Sequence, residues 1–89
     1  MNTIFEAIDR VRKMEEIFDT LTVGAKTHPP HIDPKLLRIL VDYYDNGDWL
    51  HDFELDEAGL LPSDLKRGVL SEDGVYNLLA DLSEIFKPE

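Results

Sequence analysis

Apolar residues return every three or four positions along the first quarter of the chain. Ile4, Ala7, Val11, Met14, Phe18 and Leu21 form one unbroken seam. That repeat belongs to a helix with one buried face. Ile8 and Ile17 widen the seam into a core-facing stripe. Thr3 and Glu6 have the T-x-x-E spacing of a capping box, which satisfies two orphan amides at a helix start. Gly24 comes three residues after the last seam position, where it could end the helix in a left-handed conformation. The pattern predicts a helix from Thr3 to Val23, ~30 Å long at ~1.5 Å per residue.

The polar and proline-rich stretch AKTHPPHIDP interrupts the pattern. Asp33 followed by Pro34 is a start signal, a cap and then proline at the first helical position. Leu36, Leu37, Leu40, Tyr43 and Tyr44 carry one face of a second helix ending near Tyr44, beside which lie Ile39 and Val41. The short loop predicts that it returns antiparallel to the first. Asn46–Gly47 closes it. Asp48 is placed to cap a third, shorter helix in which Trp49, Leu50 and Phe53 share a face, with Gly59 at its end. Ser63–Arg67 reads as a single helical turn. Gly68 then permits a sharp bend before Val69 and Leu70, and Ser71 caps the last helix, whose first turn contains Glu72 and Asp73. Val75, Leu78, Leu79, Leu82, Ile85 and Phe86 make a second seam, and Pro88 ends it. No strand-like alternation competes with this reading. The expected fold is all-α: a small helical bundle of two long helices forming a hairpin plus a terminal helix, joined by a compact linker that contains a short helix. In it, Val69 and Leu70 are expected to lie buried against Trp49 or Phe53.

Eighty-nine residues leave room for one domain, spanning 1–89. Charge changes the picture more than composition does. The net charge is −10, but residues 1–44 hold seven acids and six bases, whereas residues 45–89 hold twelve acids and three bases. A field of that sign repels nucleic-acid phosphate and favours a basic partner or a cation. There is no cysteine, and hence no thiolate chemistry and no disulfide. No apolar run approaches the ~20 residues of a membrane span, and the N-terminal residues lack the pattern of a secretory signal. A cytoplasmic protein is the expectation.

The most site-like stretch is DYYDNGDWLHDFELDE, Asp42 to Glu57, with seven acids around one glycine. An EF-hand register that puts Gly47 at position six places Tyr44 at a ligand position and Phe53 where the bidentate glutamate belongs, so that loop fails. A looser cation site through Asp45, Asp48 and Asp52 stays open. So does a docking surface of Tyr44, Asp45, Asp48, Asp52 and Asp56 for a basic protein, including the special case in which acids imitate nucleic-acid phosphates. His28 and His31, or His51 beside Asp48 and Glu54, are only partial metal sets, and read as ordinary surface residues. Ser63 and Ser71 sit where caps belong, Asp52 and Glu54 are the nearest approach to a carboxylate pair, and RGVLSEDG lacks the spacing of a phosphate loop. No enzyme class and no cofactor emerges. Lys66 and Arg67 are placed to neutralise Asp52 and Asp56. Trp49 and Phe53 are expected in the core, and Tyr44 at the surface. Phe5 and Ile17 lie outside the strict seam of the first helix and suggest a homodimer through it.

From Tyr43 to Leu79 the chain reads YY-x-x-G-x-W-x-x-D-F-x-x-D-E-x-G-x-L-P-x-D-L-K-R-G-V-L-S-E-D-x-V-Y-x-L-L. Together with Arg10, Met14, Glu15 and Glu16, it resembles the short acidic bacterial proteins of domain-of-unknown-function family 4298. The resemblance implies no activity and no catalytic residue. It does imply that Trp49, Asp52, Lys66, Arg67 and the run from Gly68 to Asp73 belong to one local structure.

Overall fold

A computed structural model of the protein describes residues 4–71 and 73–85, the side chain of Ile85 excepted. Four α-helices carry it: α1 (Ile4–Ala25), α2 (Pro34–Asp45), α3 (Asp48–Glu57) and α4 (Gly74–Ile85), with a 3-10 turn at Gly68–Leu70. No strand occurs among the described residues. Thr3 of the expected capping box, Glu72, Phe86, Pro88 and the Ile85 side chain lie outside them.

α1 and α2 form the expected hairpin. At one end the His31 N–H donates to the Gly24 carbonyl at 3.0 Å. At the other, Tyr43 of α2 and Arg10 of α1 meet on one carboxylate, Asp52. α4 lies against α1 and runs in the same direction, with Gly74 beside Phe18 and Leu78 and Asp81 sharing a groove with Thr22 and Ala25. The core sits between these three helices and the 3-10 turn. α1 gives it Ala7, Val11, Met14, Ile17 and Leu21, α2 gives Leu40 and Tyr43, and α4 gives Val75, Leu78 and Leu82. Leu61 and Leu65 of the connector and Val69 and Leu70 of the turn close it.

Local chemistry explains most helix ends. The Asp33 carboxylate accepts from the Lys35 N–H at 2.9 Å, and Pro34 occupies the first turn of α2. Past α3, Gly59 has φ 72°. There its N–H donates to the Asp56 carbonyl and the Leu60 N–H reaches back to that of Leu55, both at 3.0 Å. This is a Schellman closure, which needs a left-handed residue. The Ser71 hydroxyl accepts from the Gly74 N–H at 3.0 Å and so caps α4.

Four expectations need correction. Gly24 does not end α1 in a left-handed conformation: the helix runs on to Ala25, and Gly24 is needed because a Cβ there would fall on the His31 carbonyl. Asp48 is the first residue of α3 rather than its cap, since Gly47 (φ 100°) precedes it and the Asn46 side chain accepts its N–H at 2.8 Å. Ser63–Arg67 is not a helical turn; a single bend is closed by the Leu65 N–H on the Pro62 carbonyl. Ile17, expected to be left uncovered for a dimer partner, is only 7% exposed, because the turn and α4 pack on α1 as well as α2.

Candidate functional site

Two charged residues interrupt the buried stripe of α1. Arg10 stands three residues after Ala7 and four before Met14; Glu15 stands four after Val11 and three before Phe18. Helical geometry therefore aims both at neighbouring elements.

Arg10 meets Asp52 of α3. Its Nε and Nη2 donate to the two carboxylate oxygens at 2.9 and 2.5 Å, the forked geometry that suits a guanidinium and a carboxylate. The Tyr43 hydroxyl donates to Asp52 Oδ2 at 2.8 Å. Asp52 is fully buried, so its charge is held by these three donors. The hydrogen bond to Asp52 raises the Arg10 pKa above its ordinary value, outweighing the opposing effect of burial. Burial first, and then the bond to Asp52, drives the Tyr43 pKa far upward. A neutral phenol and a charged pair thus tie α1, α2 and α3 together.

Glu15 performs the equivalent task lower on α1. It is 5% exposed, and its Oε2 accepts from the Val69 N–H at 2.8 Å. The carbonyl of the same Val69 accepts from Trp49 Nε1 at 2.8 Å. Val69 and Leu70 are buried, and the acidic linker is tied to the 3-10 turn through Trp49. Gly68 lets the turn pass this close to α1, because a Cβ there would lie 2.9 Å from Glu15 Oε1.

Outside these ties lies an aromatic row. Tyr44 meets Trp49 at 5.1 Å between ring centroids with a 57° tilt, and Trp49 stacks on Phe53 at 5.0 Å and 16°. Tyr44 and Trp49 pack on the core, whereas Phe53, expected inside it, is half-buried and stacks on Trp49 from the solvent side. Leu50 beside it is 53% exposed. Asp42, Asp45, Glu54 and Glu57 are exposed around the row, and Asp48 is half-buried. No lysine or arginine occurs from Ile39 to Leu65.

The structure therefore divides the acids that the sequence grouped. Asp45 and Asp48 stay on the surface, while Asp52 is consumed inside. Asp56 is half-buried and paired with Arg67, which also donates to the Leu65 and Pro62 carbonyls. Arg67 thus neutralises Asp56 as expected. Lys66 does not reach Asp52: its ammonium pairs with Asp19 at 2.6 Å, and that hydrogen bond raises its pKa. The trio Asp45, Asp48 and Asp52 does not converge, and among the described residues no three His, Asp or Glu side chains are arranged to hold a metal ion. Asp52 and Glu54, two residues apart, project to different sides of α3, one buried and one exposed. His28 and His31 are exposed in the loop between α1 and α2. Beside Glu15, an open cleft of about 270 Å³ is lined by Arg12, Glu16, Asp19, Asp64, Leu65 and Lys66. Its walls carry both signs of charge.

The model of the family described as "Domain of unknown function (DUF4298)" matches residues 1–88. The chain belongs to this family. No curated protein and no solved structure matches it. Within this member of the family, the stretch from Tyr43 to Leu79 carries internal ties: Trp49 to Val69, Arg67 to Asp56, and Ser71 to Gly74. Arg10, Glu15 and Tyr43 were missed as partners of that segment. The readable signal was charge inside an otherwise apolar stripe, which in a stable helix demands a buried counter-group. No described helix is long and apolar enough to cross a membrane.

Proposed function

We propose that the protein is a non-enzymatic binding module that docks a basic segment of a partner protein on the outer face of α3 and the end of α2. The observation that supports this most is the excess of exposed acids around the aromatic row. Asp42, Asp45, Glu54 and Glu57 are exposed there, and no lysine or arginine occurs between Ile39 and Leu65. Leu50, Glu54 and Glu57 recur at four and three residues along α3, so an exposed leucine and two carboxylates share one stripe. Such a face suits an amphipathic basic segment, with its apolar side on Leu50 and Phe53 and its cations on the rim. Buried Asp52 and Glu15 are occupied in holding the fold, which supports a binding rather than a catalytic reading of the acids.

The test is a capture experiment with the full chain as bait, repeated with Asp45, Glu54 and Glu57 changed to lysine. Asp52 and Asp56 are left intact because their loss perturbs the fold itself. A specific basic partner retained by the native chain, lost on charge reversal and weakened by salt is the expected result. Retention that ignores both the reversal and the salt overturns the proposal. If duplex DNA displaces the captured protein, the acids act as phosphate mimics.

A further inference from the structure

The outward face of α1 carries an unusual pair. Phe5 is 79% exposed and Val23 65%, the two most exposed large apolar side chains of the described residues. They are eighteen positions apart, which at ~100° and ~1.5 Å per residue is about five turns and ~27 Å along a single line of the helix surface. Midway between them on that line lie Arg12 and Glu16, both exposed. Neither makes an ion pair with any described residue. Their order, base before acid at four residues, is the weaker arrangement for pairing within a helix.

Along this line the face is self-complementary; of the two acids that flank it, Asp9 and Asp19, the second is already paired with Lys66. A two-fold axis through the middle of α1 sets a second α1 antiparallel against it. Phe5 of one copy then meets Val23 of the other at each end, and Arg12 of one meets Glu16 of the other twice at the centre. We infer that the occupant of this face is a second copy of the chain, joined through an antiparallel α1–α1 contact. Isologous contacts of this kind need one patch that complements itself under the symmetry operator. Here the apolar ends cover each other, and two otherwise unpaired ions find partners of opposite sign. The face is separate from the acidic α2–α3 surface, so the two readings stand or fall independently.

Sedimentation of the full chain over a wide concentration range tests this, with helicity and melting temperature confirming that each variant stays folded. The native chain is expected to pass from monomer to dimer as concentration rises. Arg12→Glu and Glu16→Arg should each raise the dimer dissociation constant on the order of tenfold, since each converts two attractions into repulsions. The double exchange, Arg12→Glu with Glu16→Arg, should restore association. Direction is read separately by cross-linking, since the chain has no cysteine of its own. Phe5→Cys and Val23→Cys chains should form a mixed disulfide when combined and oxidised, and neither should cross-link alone. A chain monomeric up to about millimolar concentration, charge-exchanged variants that fail to recover, or a Phe5→Cys chain that couples to itself would each overturn the inference.

Discussion

Arg10 grips Asp52 across forty-two positions of the chain, and Asp52 has no access to solvent in that grip. Removing one member of a buried pair leaves the other charged and unanswered, which costs about 3–5 kcal/mol. Domains of this size are stable by roughly 5–13 kcal/mol. Arg10→Ala is therefore expected to shift the urea midpoint far downward, and Asp52→Lys to prevent folding. An Arg10→Ala chain that unfolds at the native urea concentration would show that the pair contributes nothing.

Tyr43 gives the same network a pH dependence. Its ionisation is pushed well above the ordinary value of 10.0 by burial and by Asp52. In the unfolded chain the phenol loses its proton above about pH 10, while in the folded chain it keeps it. The unfolded state then binds fewer protons, so stability is complete below about pH 10 and falls as pH rises, by up to ~1.4 kcal/mol per unit. Tyr43→Phe should cost about 1–2 kcal/mol at neutral pH through the lost bond to Asp52. It should also flatten the alkaline limb of the stability curve. Parallel urea titrations at pH 8 to about 11 read both effects.

Trp49 and Phe53 separate packing from surface. Trp49→Phe should cost about 1 kcal/mol, because the Val69 carbonyl loses its donor. Trp49→Ala should cost about 3 kcal/mol by removing the contact with the core as well. Phe53→Ala, at a ring stacked from the solvent side, should cost less than about 1.5 kcal/mol. Thermal melts should place Trp49→Ala lowest, with Trp49→Phe and Phe53→Ala both closer to the native chain.

Gly24 tests the backbone. A Cβ there would strike the His31 carbonyl, a group that the loop hydrogen bonds hold in place. Gly24→Ala should therefore destabilise by about 1–3 kcal/mol despite the better helix propensity of alanine. If the alanine variant melts higher than the native chain, the loop is not seated as described.

The helices were legible because their signals are local. The three-and-four spacing of Ala7, Val11, Met14 and Leu21, the Asp33–Pro34 start and the Gly59 stop act within a few residues of where they stand. Ile17 and Phe53 were misplaced for a different reason. A periodic pattern fixes which residues share a face but not how many elements cover that face, and three elements surround α1. The site was legible only in outline. The acidic stretch was visible at once, yet its division into surface acids and structural acids depends on Arg10 and Arg67, which lie forty-two and eleven positions from their partners. Spacing along the chain holds no record of such distances.

Val69 is grasped from both sides, its amide by Glu15 of the first helix and its carbonyl by Trp49 of the third. Neither side chain finds that peptide until the chain has been made almost to its last helix. During synthesis, the hairpin of α1 and α2 can assemble early and Arg10 can find Asp52 soon after. Glu15 and Trp49 must wait exposed to water for a residue still to be added. A chain that stops before position 69 can thus keep the Arg10–Asp52 pair, but it lacks both ties to Val69.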